Sequence, residues 1–249
     1  MAFLADAFRG ADAVYTLLPT DQRAPDYPGR QDEEGRAIVH AIRASGVRRA
    51  VALSCVGTDQ PEATGVILGL RRQELRLRTI PDIDLCLLRP VSFFENFYGQ
   101  FETIRHEGIV ADSVAADLAI PMVASRDIAD AAVEALATRD WSGVTIRELI
   151  GPRDLSYREA TRIIGDAIGR PDLQYVQLPY DEMAGVLAGA GLSASFAETY
   201  VEMTRAFNEG TVQPLRGRTP ENTTPATFEK FAGELAAAWR AAEVEDPAA

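Results

Sequence analysis

The sequence predicts an α/β protein, a Rossmann-like parallel sheet that the chain enters in the middle of an αβ unit, followed by a small, mostly helical cap. Two observations predict the sheet: residues 13–18, 49–54 and 84–89 are short apolar runs rich in β-branched residues and leucine, and helical periods lie between them. Strands that alternate with helices across short connections pair in parallel through right-handed crossovers. A third observation predicts the cap, since residues 180–189, 193–208 and 227–242 read as helices with only one further strand, 174–178, before them.

Taken in order, residues 2–9 form a short amphipathic helix ended by Gly10, and 13–18 is the first buried strand. A polar, proline-containing loop covers 19–30. A helix follows over about 31–44, with Ala37, Ile38, Ala41 and Ile42 as its apolar stripe and Gly46 as its stop. Strand 49–54 leads through a loop to a helix over 66–78 with an arginine-rich polar side, stopped by Pro81 before strand 84–89. After 92–100 the pattern loosens. Residues 120–123 read as a strand, Asp127 as the N-cap of a helix to about 137, and 144–149 as another strand. Ser156 with Glu159 three residues on has the capping-box pattern for a helix to Ile168, which Gly169 closes. Residues 1–150 are expected to hold the partial Rossmann-like domain. Residues 151–249 are expected to hold the mixed, mostly helical cap interleaved with it.

Composition excludes several functions. A formal charge of −12 argues against direct nucleic-acid binding, which rests on clustered Lys and Arg. One lysine, Lys230, leaves little room for Schiff-base chemistry or lysine proton relays. Two cysteines make no disulfide framework, and no run approaches the roughly 20 apolar residues of a membrane span. The N-terminus, with Asp6 and Arg9, does not read as a signal peptide, and a cytoplasmic chain is expected. None of the seven tyrosines is followed by lysine four residues on, so the proton-donating pair of ordinary short-chain dehydrogenases is absent. With two histidines, no metal-ligand spacing appears, and no Gly-x-Ser-x-Gly elbow exists. Residues 189–194, Gly-Ala-Gly-Leu-Ser-Ala, match a dinucleotide fingerprint formally. A helical pattern precedes them where the fingerprint needs a strand, so they read as a helix–helix turn.

Five blocks, GADAVYTLLP at 10–19, ASGVRRAVALSCVG at 44–57, LLRPVSFFENF at 87–97, ASRDIADAAVEAL at 124–136 and ELIGPRDLSYREATRIIGDAIGR at 148–170, together resemble the NmrA-like proteins. These are atypical short-chain dehydrogenase relatives with an NAD(P)-binding Rossmann fold. Family members begin with a strand, a glycine-rich turn, a helix and two further strands, which hold the pyrophosphate and select the nucleotide. By this comparison strand 13–18 corresponds to the family's fourth, beside the topological switch point. Two readings follow: an upstream segment completes the site, or this form has given up ordinary dinucleotide binding. The first predicts an exposed apolar edge at 13–18 in this chain by itself, and the second requires something to cover that edge, such as a second copy or a protein partner.

The resemblance implies where an NADP or NAD cofactor would lie. Leu18, Pro19 and Thr20 would meet its adenosine half. Ser54 and Cys55 would line the nicotinamide side, and Pro90, Val91, Ser92 and Phe93 would close over that end. Phe94, Asn96 and Phe97 would line a substrate pocket. Arg71 or Arg72 stands near a lysine that many relatives carry, and an arginine there would bind and not transfer a proton. Each has an ordinary alternative: a locally bonded hydroxyl for Ser54, a packing thiol for Cys55, plain core for the aromatics, a solvated face for the arginines. No catalytic residue is assigned. Three functions follow: an NAD(P)H-linked oxidoreductase acting on a small quinone or conjugated carbonyl, a non-catalytic NAD(P)-responsive regulator, and a cofactor-independent scaffold.

Overall fold

The apolar runs become the centre of the molecule. A computed structural model describes residues 2–62 and 64–245. Strands β1 (Val14–Thr16), β2 (Arg49–Leu53), β3 (Asp84–Pro90) and β7 (Val144–Leu149) form one parallel sheet in that order. The register sets Thr16 beside Ala52 and Ala52 beside Leu87. Alternation decides which face each residue serves. Ala50, Ala52, Leu85 and Leu87 pack on the side of helices α2 (Tyr27–Ser45) and α3 (Ile67–Leu77). Val51, Cys86 and Leu88 pack on the opposite side with Ile128, Ala132 and Ala135 of helix α5 (Ser125–Thr138).

Helix α1 (Ala2–Phe8) packs against α2. Helix α2 begins four residues before its apolar stripe suggests, because Asp26 accepts a hydrogen bond from the Gly29 amide at 3.0 Å and Pro28 suits a first helical turn. The expected cap of α5 is different in kind. Asp127 lies inside the helix and accepts from the Ala226 amide at 2.9 Å, while the Glu95 carboxylate, thirty residues upstream, receives the Ser125 amide and hydroxyl. Ser156 caps helix α6 (Tyr157–Ile168) through the Glu159 amide, as expected, and Gly169 ends it at φ +78°.

The loose stretch after residue 92 resolves into short pieces around a second core. Strand β4 (Ser92–Phe93) pairs with β6 (Ile120–Val123), which meets β8 (Asp154–Leu155) antiparallel. A 3-10 helix (Phe94–Gln100) runs into α4 (Phe101–Glu107), and β5 (Ile109–Asp112) pairs in parallel with β9 (Gln174–Gln177). Phe94, Phe97, Ile104, Tyr157, Phe228, Phe231 and Trp239 meet there, the last three from helix α9 (Phe228–Glu245). Helices α7 (Tyr180–Gly189) and α8 (Ala194–Asn208) complete the cap, and residues 190–193 are the turn between them, with Gly191 at φ +82° and Ser193 capping α8. No described helix is long and apolar enough to cross a membrane.

Candidate functional site at the strand ends

Extending the sheet register by two residues places Leu18, Ser54 and Arg89 in one row at the carboxyl ends of β1, β2 and β3, where open α/β sheets receive ligands. The Ser54 amide bonds the Leu88 carbonyl and the Val56 amide bonds the Pro90 carbonyl, so β2 and β3 stay paired past the strands. Pro19 and Thr20 are exposed, and Cys55, Ser92 and Phe93 are half-buried along the same rim.

Behind this rim lies an ion pair that the sequence analysis does not single out. Glu74 and Arg89 are each 4% exposed, and the guanidinium meets the carboxylate through both oxygens, Nε to Oε1 at 2.9 Å and Nη2 to Oε2 at 2.6 Å. Ser54 Oγ lies 2.5 Å and Thr58 Oγ1 2.9 Å from the same Oε1. Burial by itself would raise the Glu74 carboxyl. The hydrogen bonds from Arg89, Ser54 and Thr58, with the Arg89 charge, outweigh it and hold the group below its ordinary value. The signal was present: Glu74 stands seven residues after Ile67 and three before Leu77, on the buried stripe of α3, and Arg89 follows the apolar run 85–88 of β3. A charge on an apolar stripe predicts a partner.

Cys55 sits beside this pair. Burial pushes its thiol up to about 12, with Arg89 pulling the other way, so it is a neutral packing group and not a redox-sensitive thiolate. Arg71 donates to the carbonyls of Thr58 at 2.9 Å and Asp59 at 3.1 Å. It therefore anchors the loop after β2, while Arg72 is exposed. The substrate-pocket expectation needs correcting. Phe94 and Phe97 are 1% and 2% exposed, with their rings 5.1 and 5.4 Å from Phe228, so the second core takes both. Asn96 is exposed, with Ser92 Oγ 3.4 Å from its amide, and not an amide in an apolar setting. Hydrophobic patterning does not distinguish a pocket aromatic from a core aromatic; the arrival of α9 decides it.

Helix α8 covers the loop after β2. The Val66 amide donates to the Thr199 carbonyl at 3.3 Å, and Gly65, at φ +54°, lies so close that a Cβ there would stand 1.9 Å from that oxygen. The same helix reaches the loop after β1, where Ser195 Oγ accepts from the Tyr27 amide at 3.2 Å. On its other side, Tyr200 donates to Asp112 Oδ2 at 2.6 Å and Asn208 to Tyr180 Oη at 2.8 Å. A crevice of about 300 Å³ opens there at the ends of β5 and β9, lined by Ser113, Gln177, Leu178, Pro179 and Tyr180.

Among the described residues no strand, glycine-rich turn and helix occur in succession to hold a pyrophosphate. No group of three or more potential metal ligands occurs among the described residues either.

This architecture, helices on both faces of a parallel sheet, is similar in fold to an NADPH-dependent quinone oxidoreductase and to NmrA. No family model matches the chain. It is 29% identical over 228 residues to a (4-alkanoyl-5-oxo-2,5-dihydrofuran-3-yl)methyl phosphate reductase of Streptomyces griseus subsp. griseus, covering 87% of this chain and 75% of that protein. An NADPH-dependent quinone oxidoreductase of Escherichia coli, solved with NADPH, superposes with a TM-score of 0.76 at 18% identity over 94% of this chain and 80% of its own. NmrA, a negative transcriptional regulator solved with NAD, gives 0.69 at 14% identity over 97% and 79%.

Proposed function

We propose that the chain is an NAD(P)H-linked oxidoreductase that reduces a small quinone or conjugated carbonyl. The observation that carries this reading is the row of Leu18, Ser54 and Arg89 at the carboxyl ends of β1, β2 and β3, backed by the Glu74–Arg89 pair, in a chain one of whose relatives is a reductase. When bound, the cofactor supplies hydride. Leu18, Pro19 and Thr20 would bind it on one side, Ser54, Cys55, Val91 and Ser92 on the other, with Pro90 and Phe93 closing the end and Arg71 shaping the loop between. Without a Tyr-x-x-x-Lys pair, the protein's contribution is positioning and exclusion of water. A quinone suits this site because its reduced anion is delocalised and takes its last proton from water.

The NmrA likeness supports a second reading, a regulator that binds the nucleotide without turning it over. In either reading the chain works in the cytoplasm, residues 1–150 carry the nucleotide and 151–249 the cap, and a second copy or a protein partner covers the outer edge of β1. That edge presents Tyr15 and Leu17, 37% and 47% exposed.

Calorimetric titration with NADPH and NADH, followed by absorbance at the reduced-nicotinamide band with 1,4-naphthoquinone, tests the proposal. Saturable binding with quinone-dependent oxidation is expected. Binding without oxidation supports the regulator, and a folded chain that binds neither nucleotide refutes both.

A further inference from the structure

An ionised carboxylate has no proton to give, so every hydrogen at Glu74 belongs to its neighbours. Those neighbours are Arg89 on β3, Ser54 and Thr58 beyond β2, and Arg78 at the end of α3, whose Nη2 lies 3.6 Å from Oε2. The Cys55 thiol lies beside the pair as a neutral group, and the charges of Asp59 and Glu148 act on Arg89. At 2.5 Å from Oε1, the Ser54 hydroxyl is therefore the donor, and its oxygen keeps two lone pairs and no hydrogen for anything else. The serine at the end of a central strand thus has a defined polarity. The Thr58 hydroxyl likewise spends its one hydrogen between Glu74 and the Cys55 carbonyl at 3.0 Å, so neither hydroxyl has a hydrogen left for a ligand.

We propose that Glu74 is a positioning residue that fixes Ser54 as a hydrogen-bond acceptor, so that the group recognised at the end of β2 is a ligand N–H or O–H and not a carbonyl oxygen. The ligand's identity rests on the oxidoreductase reading above, under which the donor is the primary carboxamide of the nicotinamide; the polarity does not. One consequence concerns specificity. A serine whose proton is committed to Glu74 cannot support the oxyanion of an isolated ketone, so the site favours hydride acceptors that delocalise their own charge.

The test has two arms. In the unliganded chain labelled with ¹³C at the glutamate carboxyl carbons, the Glu74 resonance, assigned by its loss in Glu74→Gln, is expected to remain ionised from pH 8 to pH 5. In Ser54→Ala its titration is expected to move upward, since one donor to the charged form is gone. A Glu74 carboxyl that titrates at or above the ordinary glutamate value would reverse the polarity and overturn the proposal. In the second arm, NADPH is compared with its 3-acetylpyridine analogue, which lacks the carboxamide N–H. The parent chain is expected to bind NADPH about tenfold more tightly than the analogue, the size of one hydrogen bond, and Ser54→Ala to bind both alike. Equal binding by the parent chain, or a preference that survives in Ser54→Ala, overturns the assignment. Binding of neither dinucleotide refutes the oxidoreductase reading and the ligand assigned to Ser54 together, while the carboxyl titration still decides the polarity. Far-UV circular dichroism of each variant establishes that the fold is retained.

Discussion

Replacing Arg89 by methionine removes one partner of a fully buried pair and leaves the other charged. Such a break costs about 3–5 kcal/mol, most of it for the unpaired charge. Here Glu74 would keep the Ser54 and Thr58 hydroxyls and the more distant Arg78, which places Arg89→Met near the lower end, at about 3 kcal/mol. For a chain of this size, about 2–4 °C per kcal/mol converts that loss to a fall of roughly 6–12 °C in the thermal midpoint. The pH dependence has a definite sign. Glu74 is depressed in the fold, so its stabilisation is present above the unfolded carboxyl value and lost as pH falls through the lower, folded one. Arg89→Met should therefore show its largest deficit near pH 7 and a smaller one as pH drops below the ordinary glutamate value of 4.5. The double variant Glu74→Met/Arg89→Met should recover part of the loss, because a buried pair replaced by apolar groups of similar length is often near neutral. Thermal melts followed by circular dichroism at several pH values measure all four corners of the cycle. A single-variant shift under about 2 °C, or a double variant as unstable as the summed singles, would refute the claim that the two groups hold each other.

Three further outcomes are expected. Gly65→Ala should destabilise the chain by about 2–4 kcal/mol, since alanine is strained at φ +54° and its Cβ would meet the Thr199 carbonyl. Limited proteolysis should then cut the loop after β2 faster than in the parent chain. Phe94→Ala should cost about 3–5 kcal/mol in urea unfolding, as expected for a core ring rather than a pocket wall. Burial raises the Asp112 carboxyl, against the hydrogen bond from Tyr200 and the amides of Ser113 and Val114. It therefore binds its proton more tightly folded than unfolded and makes stability fall as pH rises from the unfolded value through the folded one. Asp112→Asn should flatten the pH–stability curve in that window in melts across the same range.

How much of this was legible follows from the range of each interaction. The strands at 49–54 and 84–89, the helix over 66–78 and the caps at Ser156 and Gly169 depend on residues within a few positions, so periodicity and capping chemistry locate them. The Rossmann-like class follows from their alternation, and the turn within 189–194 from its helical flanks. Asp127 failed as a cap because the helix it was assigned to is capped by Glu95, thirty residues away, across a fold not visible in the local sequence.

The aromatic run at 93–97 was equally ambiguous. Burial of Phe94 and Phe97 requires Phe228, more than 130 residues later, to arrive against them. The sequence by itself determined the sheet, the helices that flank it and the absence of a tyrosine–lysine proton donor, because these are matters of residue identity and short-range pattern. Only the tertiary structure decided that Glu74, Ser54, Thr58 and Arg89 converge on one carboxylate. Pairing β2 with β3 and laying α3 across them brings fifteen to twenty residues of separation down to hydrogen-bond length, and burial there leaves a charge no stable choice but a partner.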